Sequence, residues 1–180
     1  FGENGNGVTS TASNTPMGAY EAYLETDEGA RFSSGSGNEN HWSGYHTYLD
    51  ENTESKTDSY AVAYMRTFSK GNGFISLDIT TAAIQEVLAN IDNGEGSYVA
   101  LFTPDHRVLT MEDGSLVTTD LFEGSDVEER ALAAEETGNS YVNFNGKSYL
   151  LSVSPIGTTG MTVASIVPKA TTLSAASGIR

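Results

Sequence analysis

The sequence predicts an α+β fold built on two separate antiparallel sheets with flanking helices, joined where a strand passes directly into a helix. Three observations carry this prediction. In "FISLDITTAAIQEVLANIDNGEGSYVALFTPDHRVLT" the apolar period changes from two to 3.6 near Thr80 and returns to two after a Gly-rich bend. Alternating runs of strand character close on one another across short Gly-containing turns in both halves of the chain. Each half also has the same order: a strand pair, an irregular middle, and a closing hairpin that runs into a helix. No repeat of 20 to 50 residues underlies that order.

In chain order, residues 1–16, "FGENGNGVTSTASNTP", have almost no apolar content and are expected to be a flexible end. In "MGAYEAYLETDEGARFSSG", Tyr20, Ala22 and Leu24 alternate with Glu21, Tyr23 and Glu25, then "DEG" turns and "ARFSS" returns, which predicts a hairpin. Residues 35–58 are polar and Gly-rich but carry Trp42, Tyr45 and Tyr48, so they are expected to form a long loop, a lid over a site. Residues 60–68 and 74–79 flank "SKGNG" as a second hairpin.

Ile84, Val87, Leu88 and Ile91 are spaced i, i+3, i+4, i+7 and predict a helix near residues 80–92, with Thr80 or Thr81 at its start. "SYVALFT" and "RVLT" are strands around the turn "PDH", followed by the polar stretch "MEDGSLVTTDLFEGSD". A short helix follows at "DVEERALAAEE", capped by Ser125 or Asp126. The strands "SYVNF", "KSYLLSVSPI" and "GMTVASIVP" close the second half, Pro168 stops the last of them, and residues 169–180 begin a helix.

Composition narrows the function. A length of 180 residues with 38% hydrophobic content supports one large domain or two small ones. The formal net charge of −15 repels phosphate backbones and argues against nucleic acid as a partner. The chain has no Cys, which excludes disulfides and thiolate metal sites, and no apolar run approaches the roughly 20 residues that cross a bilayer. A start at Phe1 suggests a piece of a longer protein, so targeting or membrane segments are expected to lie outside it.

The motifs "GSYVALFTPDHRVLT" and "NGKSYLLSVSPIGTTGMTVASIVPK", with the exit toward a helix, resemble the membrane-proximal PAS-like module of a bacterial double Cache domain. That is the extracytoplasmic sensor of chemoreceptors, sensor histidine kinases and some nucleotide cyclases. "GFISLDITTAAIQEVL" resembles the end of the membrane-distal module and the helix leading to the proximal one. The resemblance implies two PAS-like modules, a distal one at 17–93 and a proximal one at 94–168. It also implies a long stalk helix ahead of both, which residues 1–16 do not resemble. A small solute such as an amino acid, amine or carboxylate is the implied ligand, bound in the distal module of a membrane-anchored parent and, by expectation, a homodimer.

By the same resemblance, Asp78 stands where an aspartate holds the ligand's amine, and Trp42 stands near the place of an Arg-x-Trp element. Asn40 occupies the expected Arg position, so Arg31 or Arg66 would have to replace it. Asp78 also stands two residues before a helix start, where capping or dipole compensation is an alternative role. Tyr60 and Tyr64 share parity on their strand and are expected to face one side, with Ala61, Ala63 and Met65 on the other. The expected ligand site is thus Trp42, Tyr45, Tyr60, Tyr64, Arg66 and Asp78.

No enzyme, metal site or cofactor is expected. His41, His46 and His106 do not stand in triad or zinc patterns, since His41 and His46 are five apart rather than four. The Gly-rich pieces lack the strand-before, helix-after setting of a phosphate loop, and "EDGSLVTTDLFEGSD" lacks EF-hand spacing. The alternatives to a sensor are a structural or protein-interaction ectodomain, or an adhesion module.

Overall fold

The structure, a computed structural model, describes residues 2, 18–30, 40–53, 59–68, 73–91 and 93–171. Contacts divide the chain into two compact units, Phe1–Thr81 and Ala82–Arg180. The strands form two sheets, one three-stranded and one six-stranded, and every pairing in both is antiparallel. The α+β expectation with two separate sheets therefore holds.

The first unit contains α1 (Ala19–Leu24), β1 (Asn40–Ser43), α2 (Thr47–Thr53), β2 (Tyr60–Thr67) and β3 (Phe74–Thr80), with sheet order β1-β2-β3. The hairpin expected at its start is overturned: residues 19–24 are helical. Alternation of Tyr20, Ala22 and Leu24 suits a strand, but Tyr20 and Tyr23 are three apart and share a helical face. Both rings pack on Phe74, at centroid distances of 6.2 and 5.0 Å. Burying two aromatic rings together outweighs a weak local preference. After the helix, the Thr26 hydroxyl donates to the Tyr23 carbonyl at 2.6 Å and accepts from the Gly29 N–H at 3.0 Å. A Cβ at Gly29 would lie 1.9 Å from the Tyr23 carbonyl oxygen, so this turn admits only glycine. The returning arm at 31–34 lies outside the described residues.

The long loop expected over 35–58 is also corrected, because residues 40–43 are β1 and residues 47–53 are α2. Leu49 anchors α2 in a core with Tyr20, Tyr23, Met65 and Phe74, and this burial organises a segment whose composition is polar. The β2–β3 hairpin forms as expected, in register from Thr67↔Phe74, while residues 69–72 of its turn lie outside the described residues. The register shifts between Tyr60 and Val62, where one extra residue on β2 makes a bulge. Of the segment expected to be flexible, only Gly2 is described, and it makes an isolated bridge to Gly73.

The second unit begins with α3 (Thr81–Ala89), continuous with β3. The sequence reading puts the boundary after this helix, at 93; the contacts divide the chain at its start. Gln85 accounts for this, since its amide donates to the Gly114 carbonyl at 3.1 Å and accepts from the Leu116 N–H at 3.3 Å. Leu88 is buried on the expected apolar face, but Val87 is 61% exposed.

Then follow β4 (Tyr98–Phe102), β5 (Val108–Glu112), β6 (Ser115–Thr119), α4 (Asp126–Leu132), β7 (Gly138–Phe144), β8 (Lys147–Pro155) and β9 (Thr162–Pro168), with sheet order β6-β5-β4-β9-β8-β7. Strand β6 falls in the stretch read as merely polar. It is an edge strand, half exposed, and an edge does not impose a clean apolar alternation. Ser125, not Asp126, caps α4 and accepts from the Glu128 N–H at 3.4 Å. Asn145 and Gly146, with φ of 49° and 74°, make the two-residue turn between β7 and β8. Phe102, Phe122, Phe144, Tyr149 and Ile166 fill the core between the sheet and α4. Residues 169–171 start a helix, and 172–180 lie outside the described residues.

Candidate functional site

The pairing register sorts the first unit's side chains onto two faces. Trp42, Tyr64 and Leu77 are opposite one another across the strands, as are Asn40, Arg66 and Ile75. These form the outer face, where the Trp42 and Tyr64 rings meet at 5.1 Å and Ile75 and Leu77 are 46% and 52% exposed. Ser43, Ala63 and Asp78 share the inner face with Met65 and Phe74, under α1 and α2. The bulge brings Tyr60 to this inner face. The expectation that Tyr60 and Tyr64 point the same way is therefore corrected: one inserted residue reverses parity along a strand.

On the inner face four polar side chains converge. His46, just ahead of α2, has a side chain 4% exposed, and Asp50, one helical turn on, 3%. His46 Nε2 lies 2.7 Å from Asp78 Oδ1 on β3, and His46 Nδ1 lies 3.0 Å from Asp50 Oδ1. The Tyr60 hydroxyl donates to Asp50 Oδ2 at 2.8 Å and accepts from the His46 backbone N–H at 2.9 Å. The Tyr60 ring stacks on the imidazole at 4.7 Å, and Tyr45 meets Tyr60 edge-on at 5.4 Å. The ion pair with His46 is the contact of Asp50 Oδ1, which makes no hydrogen bond among the described residues.

Electrostatics follow from that arrangement. Burial works against a charged imidazole, but the hydrogen bond and charge of Asp78, joined by the charge of Asp50, outweigh it and hold His46 above its usual 6.5. Magnitudes show why two carboxylates are needed. Burying an ion costs several kcal/mol, and one ion pair near 3 Å returns about 5 kcal/mol at an effective dielectric of about 20. One partner roughly offsets the cost; the second tips the balance. Burial, reinforced by Asp50, pushes the Tyr60 phenol well above its ordinary range, so it acts as a neutral donor.

Of the six residues expected at the site, Tyr45, Tyr60 and Asp78 are brought together on the inner face, while Trp42, Tyr64 and Arg66 stand on the outer one. Arg31 lies outside the described residues. Asp78 does not cap α3, because β3 continues for two residues beyond it and its Oδ1 is engaged by His46. Its side chain is 34% exposed, and both of its contacts among the described residues, His46 and a long one from Ser76 at 3.5 Å, fall on Oδ1. Oδ2 is open.

Sequence reasoning missed His46 and Asp50. Their i, i+4 spacing was the available signal, since it places both on one side of a helical turn. The second unit has two wide grooves, of about 730 and 560 Å³. Arg130, Glu135 and Glu123 face solvent there, while Arg107 in the smaller groove is 15% exposed and paired with Asp105 at 2.7 Å.

No family model matches the sequence, and neither does any curated protein. Solved structures do. The extracellular domain assigned to histidine kinase mmHK1S-Z2 superposes with a TM-score of 0.55 at 13% identity, over 84% of this chain and 58% of that one. The corresponding domain of rpHK1S-Z16 gives 0.52 at 14%, over 81% and 60%. That of mmHK1S-Z3 gives 0.52 at 19%, over 66% and 48%. This chain thus spans 48% to 60% of the length of these structures. It has the tandem PAS-like, Cache-type fold of extracellular sensor domains.

Proposed function

We propose that this chain is the extracytoplasmic sensor domain of a transmembrane signalling receptor, and that its first unit binds a small amine-bearing solute such as an amino acid at Asp78. The observation that supports this reading is the state of Asp78: one oxygen held by His46, the other without a contact among the described residues, beside a second carboxylate. With His46 charged, the three groups sum to one net negative charge, which suits an ammonium group. Among the described residues a free carboxylate finds no guanidinium on this face, since Arg66 stands opposite on the sheet. Binding at Asp78 would compete with its contact to His46, and a solute that prefers one arrangement of α2 and β3 shifts the population toward it.

A thermal-shift screen of amino acids, amines and carboxylates tests this first, because a ligand at 100 times its Kd adds about 2.7 kcal/mol of stability. Calorimetric titration of wild type and Asp78→Asn follows with the solute identified. Loss of the charge-assisted contact is expected to cost about 2 kcal/mol, roughly thirtyfold in affinity. Equal affinities would remove Asp78 from the site.

The outer face favours a second reading, a protein-interaction ectodomain. Ile75 and Leu77 stand exposed beside Trp42 and Tyr64, an apolar strip of the kind that partners cover. A chain that ignores the whole screen but loses self-association or partner binding on Leu77→Lys would support this reading instead.

A further inference from the structure

We propose that His46 makes the first unit a proton sensor: the charged ring ties the start of α2 to β3 through Asp78, and loss of the proton releases that tie. External pH is then an input separate from any solute.

The geometry favours two ring protons, with a carboxylate oxygen near each ring nitrogen, the contact to Asp50 Oδ1 being one of charge and not a hydrogen bond. His46 presents Nδ1 to Asp50 Oδ1 at 3.0 Å and Nε2 to Asp78 Oδ1 at 2.7 Å. A neutral imidazole carries one N–H, so one ring nitrogen must turn a lone pair toward a carboxylate. If Nδ1 loses the proton, the Tyr60 hydroxyl, 3.2 Å away, can turn to it only by leaving Asp50 Oδ2. The buried Asp50 then has no donor among the described residues. If Nε2 loses the proton, the lone pair faces Asp78 at hydrogen-bond distance and repels it. The two ends differ in one respect: Asp50 is enclosed, while Asp78 is one third exposed and water can replace the imidazole there. Release therefore takes place at Asp78, between α2 and β3.

Three elements bring titratable groups to the ring. The α2 helix contributes Asp50, β3 contributes Asp78, and β2 contributes the neutral Tyr60. Ahead of the ring, Tyr45 packs edge-on to Tyr60, and Ser43 of β1 donates to the Gly44 carbonyl at 3.4 Å. Asp50 and Asp78 are thus the charges that face His46 among the described residues. They hold its pKa above 6.5 against the opposing effect of burial. A raised folded-state pKa means that the proton stabilises the fold fully below 6.5, and that this stabilisation is lost as pH rises through the raised value.

The test is a pH titration of the solute-free chain by NMR, following the His46 ring together with the backbone amides of α2, β3 and the β7–β8 hairpin. A ring midpoint above 6.5, with α2 and β3 amides shifting at the same midpoint and β7–β8 amides not, is expected. A midpoint at or below 6.5 overturns the proposal, as do α2 and β3 amides that fail to follow the ring, since His46 is then a static ion pair. In Asp78→Asn the proton affinity of His46 should fall about tenfold or more. An unchanged midpoint would exclude Asp78 as the released partner. The wild-type titration decides the matter even if that variant fails to fold. No solute is present, so a flat titration leaves the amine site standing, and a failed solute screen leaves the titration standing.

Discussion

In the second unit the centre is made of rings and aliphatic chains: Phe122 lies within 5.2 to 6.4 Å of Phe144, Tyr98 and Phe102, centroid to centroid. Its buried hydroxyls are absorbed locally, as when Thr110 donates to the Val99 carbonyl at 2.8 Å and Thr103 to that of Arg107 at 3.0 Å. In the first unit a comparable ring cluster, Tyr20, Tyr23 and Phe74, stands on the same sheet face as a buried histidine and aspartate. The apolar centre holds at any ordinary pH, whereas the ionised one depends on protons and on every member being satisfied.

The largest expected effect tests the apolar side of that comparison. Phe122→Ala should destabilise the second unit by about 3 to 5 kcal/mol, read by chemical denaturation with circular dichroism. Trp42, the chain's one Trp, reports on the first unit by fluorescence. Should the Trp42 transition move as far as the circular dichroism, the units unfold as one and the contrast between them loses its thermodynamic meaning.

Somewhat smaller is the effect of Asp50→Ala, expected to cost about 3 kcal/mol in the Trp42 transition. It leaves His46 Nδ1 and the Tyr60 hydroxyl buried without their acceptor. A cost within about 0.5 kcal/mol, the range of ordinary surface changes, would mean that the polar cluster is not held as described. The mildest effect is the drift of the Trp42 melting temperature with pH. Because His46 is raised above 6.5, the melt should be highest below that pH and fall as pH climbs through the raised value, and His46→Gln should abolish the drift. Drift that persists in His46→Gln belongs to other groups.

Much of the fold was legible because it is local. The β2–β3 hairpin, α3, and the strands β7 to β9 each carry a period, a turn residue or a stop signal within a dozen neighbours, and each forms where expected. Four elements were not legible. Helix α1 reads as a strand until Phe74 supplies a surface for Tyr20 and Tyr23, and β1 with α2 reads as loop until Leu49 finds Met65 and Phe74. Strand β6 is an edge, where polar residues are tolerated.

For the candidate site, Tyr60 and Tyr45 could be picked from residue type and position and Asp78 from the family resemblance, while the i, i+4 pair of His46 and Asp50 was also written in the sequence. The division of the six residues between two faces was not readable. It depends on a bulge at the start of β2, which exists because of how that strand pairs with β3. Periodicity is a property of a segment and survives in the sequence. Which face a side chain reaches, and whether a carboxylate meets an imidazole 32 residues away, is settled only when segments pair and exclude water.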